Sequence, residues 1–195
     1  MTHLTREDLL SLEEYAEQRG EMRTAVMEHK QNRQLHIGPH ATLYFEDRLT
    51  MQYQIQEMLR VERIFEAAAI QEELDAYNPL IPDGSNWKAT FMIEYTDVEE
   101  RRQALTRLVG IEDRVWMQVQ GYDPVYAIAD EDLERADEEK TSAVHFLRIE
   151  LTPEMAEAVR AGAAINAGID HQNYLHAIDA IPANIRDSLA EDLSS

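Results

Sequence analysis

Between Thr50 and Asn78 the apolar residues recur at the spacing of an α-helix. At about 3.6 residues per turn they form one stripe, which consists of Met51, Ile55, Met58, Leu59 and Phe65 with Val61 at its edge. Glu62 falls near the middle of this stripe, and Glu66 follows one turn later on the same side. Because an unpaired charge is costly to bury, the pattern predicts that Glu62 is mostly buried and contacts an arginine or a metal ion.

The rest of the chain alternates between helical and strand signals. Capping residues and helical spacing predict helices from about Ser11 to Arg33, after Asp97, after Thr152-Pro153, and from Pro182 to Leu193. Alternating apolar positions predict strands at Leu35–Ile37, Ala41–Glu46, Lys88–Tyr95, Ser142–Leu151 and residues 163–168, and a hairpin of Val115–Val119 with Val125–Ile128. The long helix is expected to begin with Thr50 as its cap and to break or bend near Ala67–Ala69.

This order of elements predicts an α+β fold. We expect a mainly antiparallel sheet with a long N-terminal helix and a second long helix, about 50–77, packed on it. A chain of 195 residues with no low-complexity linker is expected to form a single domain, 1–195, in which residues 178–195 include a loosely held acidic helix.

Composition excludes several classes of function. The formal net charge is −20 with only 18 scattered basic residues, which argues against binding to nucleic acid or to an anionic membrane surface. The absence of cysteine excludes disulfides, thiolate catalysis and cysteine-bound zinc or iron–sulfur clusters. No secretory signal or membrane span is evident in the sequence, so we expect a cytoplasmic protein.

Catalytic motifs are missing too. The sequence contains no phosphate-binding loop, dinucleotide-binding glycine pattern, nucleophile elbow or zinc-protease motif. Whether the protein is an enzyme is therefore left open by its residues.

Histidines and glutamates suggest a metal site. His36 and His40 flank the Gly38-Pro39 turn, and together with Glu62 and Glu66 they could bind iron or manganese. The alternative is structural: the glutamates would pair with arginines such as Arg33 or Arg60, and the histidines would be surface or hydrogen-bonding residues.

A pocket is expected where turn, helix and loop signals concentrate. It would be assembled from the Leu35–Glu46 hairpin, the Thr50–Phe65 helix and the Asn78–Asn86 loop. The residues expected near it are His40, Glu57, Arg60, Glu62 and Glu94.

Other polar residues receive simpler interpretations. His145 alternates with apolar residues and is expected in the core, whereas His171 beside Asp170 is expected on a loop, where a functional role is more plausible. Changes in the acidic run 130–139 are expected to matter little.

Five segments carry a family resemblance: G-P-H-A-T-L-Y-F-E-D-R-L-T at 38–50, Q-I-Q-E-M-L-R-V-E-R-I at 54–64, E-E-L-D-A-Y-N-P-L-I-P at 72–82, A-T-F-M-I-E at 89–94 and G-I-D-H at 168–171. In these the chain closely resembles the uncharacterised bacterial family catalogued as domain of unknown function 3501. Genes of that family often lie beside those of a rubrerythrin-like protein and a cysteine-rich iron–sulfur oxidoreductase. The resemblance therefore implies an accessory or binding protein of a redox or peroxide-handling system, with a redox protein as partner. The alternative function is a non-haem metalloprotein or metalloenzyme with Glu and His ligands.

Overall fold

The computed structural model describes residues 3–131 and 140–194 and contains two antiparallel β-sheets with helices packed around them. The described α-helices are α1 (Leu12–Lys30), α2 (Arg48–Glu62), α3 (Ala67–Tyr77), α4 (Val98–Arg107), α5 (Pro153–Arg160) and α6 (Ala183–Ala190), and the 3-10 helices are η1 (Arg6–Asp8), η2 (Asn78–Leu80) and η3 (Ile111–Arg114). The described strands are β1 (Gln34–His36), β2 (Ala41–Glu46), β3 (Asn86–Ile93), β4 (Val115–Val119), β5 (Val125–Tyr126), β6 (Ile128–Ala129), β7 (Val144–Glu150), β8 (Ile165–His171) and β9 (Tyr174–Ile178).

Strand pairing confirms the predicted α+β fold but divides the sheet in two. Sheet A has the order β1-β2-β3-β7-β6, and sheet B has the order β5-β4-β8-β9. All the described strand pairs are antiparallel. In sheet A the register places Glu46 of β2 opposite Lys88 of β3, and Lys88 opposite Arg148 of β7.

The main core includes side chains from both sheets. Residues of one face of each central strand are buried, including Leu43, Phe45, Phe91, Met117 and Ile169. Because successive strand residues point to opposite faces, the alternate residues of β2, β3 and β7 form the other face of sheet A, which we call its outer face. The partial burial of several of these residues leaves them available for a site.

Three helices start at the predicted capping residues. The Ser11 side chain accepts a hydrogen bond from the Glu14 backbone, Asp97 caps α4 and Thr152 caps α5. For α2 the cap is Asp47 and not Thr50, because Asp47 and Thr50 form a reciprocal capping box that starts the helix at Arg48.

The predicted second long helix is two helices. Arg63 adopts the left-handed conformation (φ 55°) directly after α2, and its backbone N–H bonds to Leu59 O. A residue in this conformation ends an α-helix, so the chain restarts as α3 at Ala67 after a break that precedes the expected bend. The predicted packing of the long helices survives in α1 and α2, where Tyr15 OH donates to Glu57 Oε1 (2.6 Å).

The C-terminal segment is firmly packed, contrary to the expectation of a loosely held helix. Leu189 of α6 is fully buried, and its carbonyl accepts a hydrogen bond from Trp87 Nε1 (2.9 Å). Beyond α6, Asp192 is 3% exposed and forms an ion pair with Arg33 (2.6 Å). Contacts with Trp87 and Arg33 therefore hold a segment that its acidic composition had predicted to be exposed.

Two further sequence expectations concern membranes and the acidic run. None of the described helices combines the length and apolarity required to cross a membrane. Residues 132–139, which make up most of the acidic run, lie outside the described residues.

Candidate functional site

The outer face of sheet A forms one wall of a groove of about 730 Å³. The opposite wall comes from the end of α3, from η2 and from the loop that leads into β3. The lining residues combine apolar and aromatic side chains with a few charged ones: Ala76, Tyr77, Pro79, Leu80, Asp83, Asn86, Lys88, Glu131, Phe146, Leu147 and Arg148.

The loop wall is held in place by polar contacts, of which those of Asn78 are buried. The Asn78 side chain accepts a hydrogen bond from Leu4 N (2.8 Å) and donates one to Leu4 O (2.9 Å). Asp83 Oδ1 accepts hydrogen bonds from the backbone and the hydroxyl of Ser85. These contacts fix the backbone around Pro79 and Leu80, so the groove has a preformed wall.

The side chain of Lys88 has no hydrogen bond or ion pair among the described residues, although Lys88 lies on the central strand of sheet A. Glu46, directly opposite on β2, is engaged elsewhere: its Oε2 accepts from Thr50 Oγ1 (2.6 Å) and its Oε1 from Thr90 Oγ1 (2.8 Å). The residue opposite on β7 is Arg148, a like charge, and such a cross-strand pair is unfavourable. The Lys88 side chain is therefore half-buried, and its ammonium group has no hydrogen bond or ion pair within the described residues.

Arg148, by contrast, is fully engaged. Its Nε and Nη2 donate to the two carboxylate oxygens of Glu131 (2.9 and 2.8 Å), and its Nη1 donates to Glu150 Oε2. This double pairing fixes the charged guanidinium beside Lys88.

Electrostatics make Lys88 an unusual lysine. Desolvation by burial, and secondarily the positive charge of Arg148, lower the pKa of the Lys88 ammonium. The carboxylates of Glu131, Asp83 and Glu150 oppose this shift without cancelling it. The groove can therefore offer a charged donor to an oxygen acceptor, and its lining includes the side chains of Tyr77, Leu80 and Phe146.

Of the expected pocket, the structure retains the Asn78–Asn86 loop, which contributes Pro79, Leu80, Asp83 and Asn86 to the groove. Glu57 lies elsewhere, in an ion pair with Arg19 of α1 (2.7 Å). That arginine, followed by other causes that include the Tyr15 hydroxyl, lowers the pKa of Glu57 to about 2. Arg60 is exposed on α2.

The predicted burial of Glu62 is wrong. Glu62 is the last residue of α2 and is exposed, as is Glu66 before α3. The apolar stripe ends in the interior at Leu59, whereas Val61 and Phe65 are 64% and 74% exposed. Periodicity placed Glu62 on the buried face, but the helix ends before the core extends to it.

The structure does bring His36, His40 and Glu94 into one hydrogen-bonded network at the edge of sheet A. His36 Nδ1 lies 2.9 Å from Thr42 Oγ1, which donates to Glu94 Oε2 (2.7 Å). His40 Nδ1 lies 3.0 Å from Glu94 O, and its ring stacks on Tyr95 at a centroid distance of 3.8 Å. These side chains are engaged with one another and with the backbone.

Metal ligands are not gathered in the described part of the chain. Residues 3–131 and 140–194 contain no group of three or more His, Asp or Glu side chains that could hold a metal ion. The proposed set of His36, His40, Glu62 and Glu66 therefore does not form such a group.

His145 lies where the sequence predicted it, and His171 does not. His145 is fully buried as predicted, with Nδ1 2.5 Å from Asp130 Oδ2 and Nε2 2.9 Å from Thr141 Oγ1. His171 is not on a loop: it ends β8, is 6% exposed and contacts Val109 O (3.1 Å). Both positions are explained by packing.

Lys88 and Arg148 were missed by sequence reasoning. One signal was available, because only Lys30, Lys88 and Lys140 are lysines among the 18 basic residues, and Lys88 lies in a predicted strand. The residues opposite Lys88 are Glu46 of β2 and Arg148 of β7, and the sheet register decides that they lie there.

Comparisons with known proteins agree with this fold. The family model described as protein of unknown function (DUF3501) matches residues 3–193. A crystal structure of a novel protein of unknown function from Burkholderia pseudomallei K96243, at 1.90 Å resolution, shares 53% sequence identity with a TM-score of 0.94. The alignment covers 99% of this chain and 100% of that one. No curated protein matches the chain.

Proposed function

The chain belongs to the DUF3501 family, and we propose that it is a binding protein for a small, mainly apolar molecule that carries one oxygen acceptor. The acceptor, a carboxylate or a carbonyl, contacts Lys88, and the apolar body lies along Tyr77, Leu80 and Phe146. The observation that carries this proposal is the half-buried side chain of Lys88, whose ammonium group has no hydrogen bond or ion pair within the described residues.

Energetics favour a ligand at this position. Partial desolvation of a charge that has no hydrogen bond costs free energy, and an acceptor from a ligand offsets that cost. The groove volume of about 730 Å³ lies within the range of small-molecule sites. The nearby carboxylates of Asp83 and Glu131, together with the net charge of −20, disfavour polyanions and leave a single acceptor group as the best match.

The test is a fluorescence titration with 1-anilinonaphthalene-8-sulfonate, an aromatic monoanion, followed by displacement with octanoate. We expect one site per chain and an affinity that falls about ten- to hundredfold in Lys88→Met, because a charged hydrogen bond is lost. Lys30→Met is the matched control, since Lys30 lies over the Tyr53 ring (5.9 Å to the centroid). Phe65→Ser controls for dye bound to exposed apolar side chains. Equal affinity of Lys88→Met and the wild type would contradict the proposed site.

We further propose that ligand binding serves an accessory role in a redox or peroxide-handling system. The support for this role is the family resemblance and its gene neighbourhood, together with the absence of cysteine from the chain. Sedimentation velocity of the protein mixed with the neighbouring rubrerythrin-like protein or iron–sulfur oxidoreductase tests it. A complex is expected at micromolar concentration. If the two proteins sediment separately in both mixtures, the role is refuted.

A further inference from the structure

We propose that Lys88 captures carbonyl compounds covalently, as an imine formed between its Nζ and an aldehyde held in the groove. This inference rests on the proposed function, because it assigns the ligand class of the same groove. It goes further in making Lys88 a reactive amine as well as a hydrogen-bond donor.

An amine attacks a carbonyl carbon only when its nitrogen lone pair is free of a proton. Lysines are activated for this chemistry when they are desolvated in an apolar site or placed beside another cation. Lys88 meets both conditions, because it is half-buried and lies directly opposite Arg148. The same two causes lower the pKa of its ammonium group.

The surroundings of Lys88 keep the amine available. Glu46, its cross-strand neighbour, is occupied by the hydroxyls of Thr50 and Thr90 and does not bind the ammonium. Arg148 is held in place by Glu131 and Glu150, so a second cation stays beside Lys88. An ordinary surface lysine would have neither constraint.

The remaining charged or titratable groups around Lys88 are Asp83, on the loop before β3, and Tyr77, at the end of α3. The negative charges of Asp83, Glu131 and Glu150 raise the pKa of Lys88, and burial and Arg148 lower it with the larger combined effect.

The reaction balances without an oxidant or a reductant. The Nζ lone pair forms the C–N bond as the C=O π bond breaks. The nitrogen then loses one proton and the oxygen takes one up, giving a carbinolamine. Loss of the hydroxyl as water, with loss of the second nitrogen proton, gives the neutral imine. Asp83 lies in the same groove and is the nearby base for these proton transfers. Tyr77 and Phe146 provide aromatic surface for an aryl or alkyl aldehyde.

The chain allows a clean test because it has only three lysines, Lys30, Lys88 and Lys140. The folded protein is treated at neutral pH with benzaldehyde and sodium cyanoborohydride, which reduces the imine to a stable benzylamine. Peptide mass mapping over time then gives the labelling rate of each lysine. Lys88 is expected to be labelled faster than exposed Lys140, because its lowered pKa leaves more of its amine free of a proton at neutral pH.

Two controls separate this inference from the proposed function. Octanoate should slow the labelling of Lys88 and leave that of Lys140 unchanged. Lys88→Arg forms no stable imine, so the label at position 88 should disappear while the labelling of Lys30 and Lys140 stays as in the wild type. Labelling of Lys88 no faster than that of Lys140, in wild-type protein that binds the dye, overturns the covalent step and leaves the binding function standing.

Discussion

Asp192 offers a direct test of how the C-terminal segment is held. Its carboxylate is 3% exposed and pairs with Arg33, which also donates to Phe45 O (3.0 Å). Burial raises the pKa of Asp192 from its ordinary 3.8 to about 6, against the opposing attraction of Arg33. The folded protein therefore holds a proton on Asp192 more tightly than the unfolded chain does.

The sign of the pH dependence follows from linkage. A carboxyl group whose folded-state pKa is raised adds stability that is fully present below pH 3.8 and is lost as the pH rises through about 6. Between about pH 7.5 and about pH 5 this single group should raise the free energy of unfolding by roughly 1.4 kcal/mol.

The perturbation is Asp192→Asn, which keeps the shape and an acceptor oxygen for Arg33 but removes the titration. Urea unfolding at both pH values gives the free energy of unfolding of each protein. As the pH falls, the free energy of unfolding of the wild type should rise by roughly 1.4 kcal/mol relative to that of Asp192→Asn. Asp187→Asn is the matched control, because Asp187 is exposed on α6 and its variant should follow the wild type. Parallel pH dependences of wild type and Asp192→Asn would refute the reasoning.

Three further substitutions test the ion pairs and the exposed helix end, each by urea unfolding. Glu57→Gln should lower the free energy of unfolding by about 2 kcal/mol because Arg19 loses a charged partner. Since the pKa of Glu57 is lowered to about 2, this loss of stability should vanish as the pH falls through 4.5 towards 2. A loss that stays constant with pH would contradict the ion pair. Asp130→Ala should cost about 3 kcal/mol or more, because His145 loses a buried partner, although the acidic run was expected to matter little; a cost near zero would restore that expectation. Glu62→Ala should change stability by less than about 0.5 kcal/mol because Glu62 is exposed, and a larger loss would mean an unrecognised partner.

Local signals carried much of the fold. β2 has the predicted bounds, and Ser11, Asp97 and Thr152 act as the predicted helix caps. Such signals can be identified in the sequence because a cap bonds to a backbone group only a few residues away and a strand face alternates every second residue.

The candidate site could not be predicted in the same way. Periodicity assigned importance to Glu62, but whether a helix position is buried depends on what packs against it, and α2 ends there. Lys88 gave almost no signal in the sequence. Its missing ion pair and its lowered pKa depend on Glu46 being engaged by Thr50 and on Arg148 lying opposite.

The sequence by itself determined the α+β class, most element positions, the family and the absence of cysteine chemistry. Only the tertiary structure decided which polar groups have partners. Arg33 and Asp192, 159 residues apart, form a buried ion pair, whereas Lys88, half-buried in the sheet, has no such partner in the described chain. The physical reason is that the cost of burying a charge depends on atoms brought near by sheet register and helix packing, and local sequence does not specify those atoms.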